Sequence, residues 1–156
     1  MARLLSIALL LIPAFASAAP PVTAVAFEPK GDKVAFAFNG EVRMFDVKSG
    51  ASCDRVPDIA GRVTALAYDN RSEWLAIAHG DAGKSGLLTL VRTDLRGPKR
   101  TATRASITAH KDAIYTLAFS PDRKTIASAG YDRVIHLWDI PNTGKPEGNP
   151  RLTLTD

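Results

Sequence analysis

The feature that most constrains this chain is a pattern that occurs three times. Val22–Phe27, Val63–Tyr68 and Ile114–Phe119 are apolar runs of equal length with small residues at matching places. Each leads into turn chemistry: Glu28-Pro29-Lys30-Gly31-Asp32, Asp69-Asn70-Arg71-Ser72 and Ser120-Pro121-Asp122-Arg123. A second apolar run follows at Val34–Phe38, Trp74–Ala78 and Thr125–Ala129, and a third ends at Phe45-Asp46, Val91-Arg92 and Trp138-Asp139. Short apolar runs bounded by turn residues read as strands, and no helical period competes with them after the first residues. A recurring unit of this size buries its apolar surface by stacking on its neighbours. The chain is therefore expected to be all-β and built by stacking.

The third unit carries the most specific signs. Ala109-His110 precedes its first run, Gly130-Tyr131-Asp132-Arg133 joins its second to its third, and Trp138-Asp139 closes it. The segment Thr108–Asp139 resembles a WD40 repeat, the unit of a β-propeller blade. Phe27 and Tyr68 lie 41 residues apart, which fits the WD40 period, and Tyr68 and Phe119 lie 51 apart. The longer spacing comes from extra residues around Gly80–Ser85 and Thr93–Thr103. The resemblance implies a WD40-like β-propeller, present as a partial array of about three four-stranded antiparallel blades. Blade 1 is placed at 19–57, blade 2 at 58–107 and blade 3 at 108–156, with blades 1 and 2 degenerate. Closed propellers have about four to eight blades. Further blades, or self-association, are expected to complete a ring, and a fragment of a longer protein is the favoured explanation.

The resemblance also assigns a structural role to one set of residues. In WD40 repeats a His, a Ser or Thr, an Asp and a Trp form a buried hydrogen-bonded tetrad. The matching residues here are His110, Ser128, Asp132 and Trp138. These are also the residue types of a Ser-His-Asp hydrolase. No nucleophile elbow or oxyanion-hole loop accompanies them, so they are read as structural and not catalytic. In blade 1, Asn39 and Phe45 stand where Asp132 and Trp138 stand, and in blade 2, Ile59 and Val91 stand where His110 and Trp138 stand. Those blades are expected to rely on apolar packing alone.

Met1–Ala18 has the three parts of a secretory signal: Arg3, the apolar run Leu4–Ile12, and Ala16-Ser17-Ala18 before a cut at Ala19. The run is too short to cross a bilayer, which takes about 20 residues. The chain is thus expected to be exported, to the periplasm or beyond, with no stable membrane span after cleavage. The single cysteine, Cys53, cannot form an internal disulfide and is read as a partly buried small hydrophobe in the outer strand of blade 1. A Cys-x-x-Cys-His haem motif does not occur in the chain. His79 and His136 are read as strand-end or solvent-facing residues, and no metal-ligand spacing is visible among the three histidines. Gly80–Ser85 is an enlarged hairpin loop and not a phosphate loop, because the full motif and its following helix are missing.

The formal charge is +4, falling to +3 once Arg3 leaves. Basic residues gather at Arg92, Arg96, Lys99, Arg100 and Arg104, but without the interleaved aromatics of a single-strand nucleic-acid groove. They read as a solvated edge, and nucleic acid is not expected as a partner. The function expected is a non-catalytic scaffold binding protein partners, without cofactor or metal. Its contacts would come from rim loops, at Arg62, Lys84, Lys111, Tyr131 and Arg133. The alternative is the propeller part of a larger redox protein with a c-type haem domain outside this chain, as in some bacterial secreted arrays that this one resembles.

Overall fold

The computed structural model describes residues 20–94, 104–140, 146 and 148–155. The signal-like segment 1–18, the basic residues Arg96, Lys99 and Arg100, and most of the Pro/Gly-rich stretch 141–150 lie outside them. The described residues form twelve strands in three antiparallel sheets of four. Sheet 1 holds β1 (Ala24–Phe27), β2 (Lys33–Phe38), β3 (Glu41–Asp46) and β4 (Ser52–Val56). Sheet 2 holds β5 (Arg62–Tyr68), β6 (Trp74–Gly80), β7 (Gly86–Arg92) and β8 (Ala105–His110). Sheet 3 holds β9 (Ile114–Phe119), β10 (Thr125–Gly130), β11 (Val134–Asp139) and β12 (Leu152–Thr155). Strands follow chain order across each sheet, so every link is local. The three apolar runs of each unit fall on its first three strands. The Asn39-Gly40 turn joins β2 to β3, with Gly40 at φ 82°, the left-handed conformation a tight hairpin demands.

Two details correct the sequence reading. The unit counted from residue 108 straddles two sheets, because β8 pairs with β7 and its last residues, Thr108 to His110, therefore belong to the outer strand of sheet 2. Cys53 does lie in outer strand β4, but it is exposed. An outer strand is covered on one edge only, and alternation turns Cys53 away from the core while Val56 is buried.

Strand period gives each sheet two unlike faces. One face is built on a pair of alanines in the second strand and two larger aliphatics opposite them in the third. These are Ala35, Ala37, Val42 and Met44 in sheet 1, and Ala76, Ala78, Leu88 and Leu90 in sheet 2. In sheet 3 they are Ala127, Ala129, Ile135 and Leu137. The other face is bulky, with Leu75, Ile77 and Val91 in sheet 2 and Ile126 and Trp138 in sheet 3. One core packs the alanine face of sheet 1 against the bulky face of sheet 2. The second packs the alanine face of sheet 2 against the bulky face of sheet 3. Sheet 2 is thus covered on both sides, and all seven residues of β6 are buried. The first strands β1, β5 and β9 lie against one another in turn, which puts them nearest a common axis with the sheets stacked side by side.

At one rim, polar contacts tie sheet 2 to sheet 3. Arg123 Nη1 lies 2.8 Å from Glu73 Oε2 and 3.2 Å from the buried carboxylate of Asp69. Asn70 Nδ2 donates to the Pro121 carbonyl at 2.7 Å. Asp69 also accepts the backbone N–H groups of Glu73 and Trp74, which closes its own turn. At the other rim, the enlarged loop Asp81–Ser85 turns on Gly80 at φ 136°, where an added Cβ would run into the Ser85 carbonyl oxygen. Gly80→Ala is expected to destabilise the fold by about 1–3 kcal/mol, the usual cost of a side chain in such a conformation. Gly83→Ala, at φ 74° in open space, should cost less. Urea unfolding of the two variants beside the parent checks the order.

Candidate functional site

Four side chains meet in the cleft between β8 of sheet 2 and β10–β11 of sheet 3. Trp138 Nε1 donates to Ser128 Oγ at 2.9 Å, and Ser128 Oγ lies 2.7 Å from His110 Nε2. His110 Nδ1 is 2.9 and 3.0 Å from the two oxygens of Asp132. Strand geometry places them: Ser128 and His136 are register partners, and Trp138 follows two residues on, so all three share one face. His110 reaches in from the end of β8, and Asp132 from the turn between β10 and β11. His110, Ser128 and Trp138 are all buried.

The donors fix the tautomer. The Ser128 hydroxyl accepts from the indole, so its own proton goes to His110 Nε2. The Nδ1–H of His110 then goes to Asp132, and every proton points toward the carboxylate. Asp132 also accepts the backbone N–H groups of Lys111 at 3.0 Å and Val134 at 3.3 Å. Burial pushes the Asp132 carboxyl up, but the hydrogen bond from His110 and the Lys111 and Val134 amides outweigh it, and the group titrates below its ordinary value. Ser128 Oγ is thus locked between an indole and an imidazole, with a carboxylate behind. That is a satisfied buried network, which rigidifies its surroundings.

The structure brings a third histidine to this cleft. His136 lies with its ring 4.6 Å from that of His110 and 5.4 Å from that of Trp138, and its Nδ1 is 2.9 Å from Thr153 Oγ1. His110, Asp132 and His136 thus converge closely enough to hold an ion, which the spacing of the histidines did not reveal. Chemistry argues against a resident metal. His110 donates its Nδ1–H to Asp132 and accepts the Ser128 hydroxyl at Nε2, so neither nitrogen is open to a metal and two ligands remain where structural sites use four. His136, expected as a strand-end or solvent-facing residue, is half-buried inside β11. Burial, and then the neighbouring His110, lower its pKa.

Sheet 2 also holds a polar chain, where apolar packing alone was expected. His79, read from sequence as a strand-end or solvent-facing residue, is next to last in β6 and only 3% exposed. Its Nδ1 donates to the Ala60 carbonyl at 2.8 Å, and its Nε2 lies 2.8 Å from Thr89 Oγ1. Thr89 in turn meets Ser106 Oγ at 2.9 Å. Burial pushes the His79 pKa down, against the Ala60 hydrogen bond that favours the charged ring. The available signal was alternation: Ile77 pairs with Thr89, and His79 lies two residues beyond Ile77 on the same face.

The five loop residues proposed for partner contact share one rim, but they do not form one patch. Arg62 and Tyr131 line the same cavity, together with Tyr115 and Asp81. Lys111 lines the cleft of His110 and His136. Lys84 pairs with Asp81 at 3.2 Å in its own loop. Arg133 lies farther out beside Thr155, at φ 62°. Tyr115, which the sequence reading passed over as a strand residue, packs against Tyr131 with ring centroids 4.2 Å apart and planes tilted by 44°.

Comparison with known proteins fits this geometry. Residues 101–139 match the family model described as "WD domain, G-beta repeat", a span that includes all four members of the buried tetrad. The chain belongs to the WD40-repeat family. It is 30% identical over 120 residues to WD repeat-containing protein 1 of Gallus gallus, covering 75% of this chain and 18% of that one. The Rattus norvegicus protein of the same name is 30% identical over 119 residues, covering 74% and 18%. The WD40 chain spans less than a fifth of the length of these curated relatives. In fold it is similar to the crystal structure of RRP9 WD40 repeats, with a TM-score of 0.69 at 20% identity, covering 88% of this chain and 39% of that one. It is equally similar to the structure of U3-55K, covering 88% of this chain and 40% of that one.

Removing a tetrad member should weaken the fold. Trp138→Phe and Ser128→Ala each leave a buried partner unsatisfied and should cost about 1–3 kcal/mol, measurable by urea unfolding. Acidity should act on both polar chains in one direction. His79 titrates below its ordinary 6.5 when folded, so its stabilisation is complete above that value and is lost as pH falls from it through the folded pKa. Asp132 follows, losing its contribution as pH falls below the ordinary 3.8. Melting temperature should be flat above neutrality and decline in two stages on acidification, with the first stage reduced in His79→Gln.

Proposed function

We propose that the chain is a non-catalytic scaffold that docks a protein partner on the rim formed by Arg62, Tyr115 and Tyr131. The observation that carries this reading is the contacting pair Tyr115–Tyr131, 51% and 59% exposed, at the mouth of a cavity of about 420 Å³ lined also by Arg62. Tyrosine and arginine are the residue types that dominate binding energy at interfaces, because they offer large contact area with a polar tip. The scaffold beneath is rigid: β5 and β9 lie side by side, and β6 behind them is wholly buried. WD40 repeats typically serve protein interaction, and the triad-like residues here are consumed by a closed hydrogen-bond chain. That supports binding over catalysis as the role of this chain.

We place the site of action outside the cytoplasm. The support is the sequence Met1–Ala18, with its Arg3, its short apolar run and its Ala16-Ser17-Ala18 end. Intact-mass measurement of the chain purified from an exporting bacterium should give a product starting at Ala19; a product retaining Met1–Ala18 would remove export from the proposal.

The docking surface is tested by placing a photo-crosslinking residue at Tyr131, with a control at Asp122 on the opposite rim. A discrete adduct is expected from position 131 and not from 122. It should disappear in Tyr115→Ala, with melting temperature unchanged because that ring is exposed. Equal adducts from both rims, or an adduct indifferent to Tyr115→Ala, would contradict this surface.

A further inference from the structure

The repeat brings one position to the rim cavity three times. Thr23, Thr64 and Tyr115 are each the second residue of their apolar run, and all three line that cavity. Thr23 and Thr64 turn back on their own sheets, their hydroxyls meeting the Ala37 and Ala78 carbonyls at 3.4 and 3.3 Å. Tyr115 meets the Tyr131 ring instead. The turn between β10 and β11 holds Tyr131 in place, its backbone N–H donating to the Ala113 carbonyl at 2.8 Å. A threonine serves at this position in two sheets, so the stacking of sheets does not itself call for the tyrosine.

Arg62 opens β5 at the same cavity, is exposed, and has no ion pair or side-chain hydrogen bond among the described residues. The acids of this part of the rim are engaged within the fold. Asp112 accepts the backbone N–H groups of Gly83 and Ala113 at 2.8 and 2.7 Å. Asp132 is tied to His110 and to the amides of Lys111 and Val134. Asp81, which lines the cavity, pairs with Lys84. Neither Glu41, paired with Arg43, nor Asp58 lines it. The mouth therefore presents one uncommitted cation between two tyrosines. Sheets 1 and 3 already flank sheet 2, so a further sheet of the stack would adjoin their outer faces and not this mouth.

We propose that the segment docked in this cavity is acidic: an aspartate or glutamate side chain of the partner protein enters beside Tyr115 and Tyr131 and pairs with Arg62. The inference rests on the docking surface proposed above and names the chemistry that surface takes. The guanidinium fork matches a carboxylate with two parallel hydrogen bonds. The methylene stem of the acid lies along the tyrosine rings, which offer an apolar face with a polar tip. At about 420 Å³ the cavity falls within the usual range of ligand pockets, roughly 300–1,000 Å³. Phosphorylated motifs are held by clusters of arginines. Here a single arginine stands across the cavity from the Asp81 carboxylate, which repels a doubly charged phosphoryl group more than a singly charged carboxylate. Binding should weaken as salt rises, because the pair forms at an exposed mouth.

The test pans a phage-displayed library of random peptides against the purified full-length protein at low ionic strength. Peptides that depend on Tyr115, by their loss in Tyr115→Ala, should carry Asp or Glu at one fixed position. Fluorescence polarisation of those peptides should show binding weakened about tenfold or more in Arg62→Gln, the loss of a charged hydrogen-bond partner. Arg133→Gln, on the same rim but outside the cavity, should leave binding within about twofold, the scale of an exposed charge. Panning against Arg62→Glu should select Lys or Arg at the position that was acidic. Melting temperatures of all variants should match the parent, because Arg62 is exposed. Inorganic phosphate should compete no better than acetate at equal ionic strength; selective displacement by phosphate would overturn the carboxylate assignment. Tyr115-dependent peptides with no acidic preference, or with binding indifferent to Arg62→Gln, would overturn this inference and leave the docking surface standing. Absence of any Tyr115-dependent peptide would remove both.

Discussion

Ala35 and Ala37, Ala76 and Ala78, and Ala127 and Ala129 occupy the same two positions in three successive sheets. An alanine pair at the centre of a face lets the neighbouring sheet approach closely enough for Leu75, Ile77 and Val91, or Ile126 and Trp138, to fill the space between. Every other feature depends on that fit. It fixes which sheet faces which, brings β5 beside β9, and so sets Arg62 beside the Tyr115–Tyr131 pair of sheet 3. It also carries His110, at the end of sheet 2, to the Ser128 and Trp138 of sheet 3.

The polar chains refine this packing. The tetrad crosses the junction between sheets 2 and 3, and its energy depends on that junction being closed, because an opened cleft would hand each donor to water. His79, Thr89 and Ser106 cross from β6 through β7 to β8 within sheet 2. One chain joins sheets and the other joins strands. Together they give the central sheet directional contacts that apolar packing alone does not supply.

Much of this was legible in the sequence. The three apolar runs of each unit marked nine of the twelve strands, because each run is short, buried and bounded by turn residues. The tetrad was assigned by resemblance, and its members are here joined by hydrogen bonds of 2.7–3.0 Å. The polar chain of sheet 2 was not read, because His79 and Thr89 each look unremarkable within an apolar strand and only their register joins them. The approach of His136 to His110 was hidden for the same reason: His136 is near in space through Ser128, its partner across the sheet, and not through spacing along the chain. Tyr115 was missed because it sits inside an apolar run, where an aromatic reads as core; it escapes burial at the mouth of the rim cavity. Cys53 was assigned to the correct outer strand but read as partly buried, because an outer strand shields only some of its residues.

The central claim is that facing sheets hold this fold together and that sheet 2, covered on both sides, is its most stable part. Native-state amide hydrogen exchange tests it most directly. The account predicts that the slowest amides lie in β6 and β7, exchanging only with global unfolding, while β1 and β12 exchange faster through local opening. Slowest exchange in sheet 3 around Ser128 and Trp138, with β6 exchanging earlier, would contradict it and make the tetrad, not the packing of sheet on sheet, the foundation of the fold.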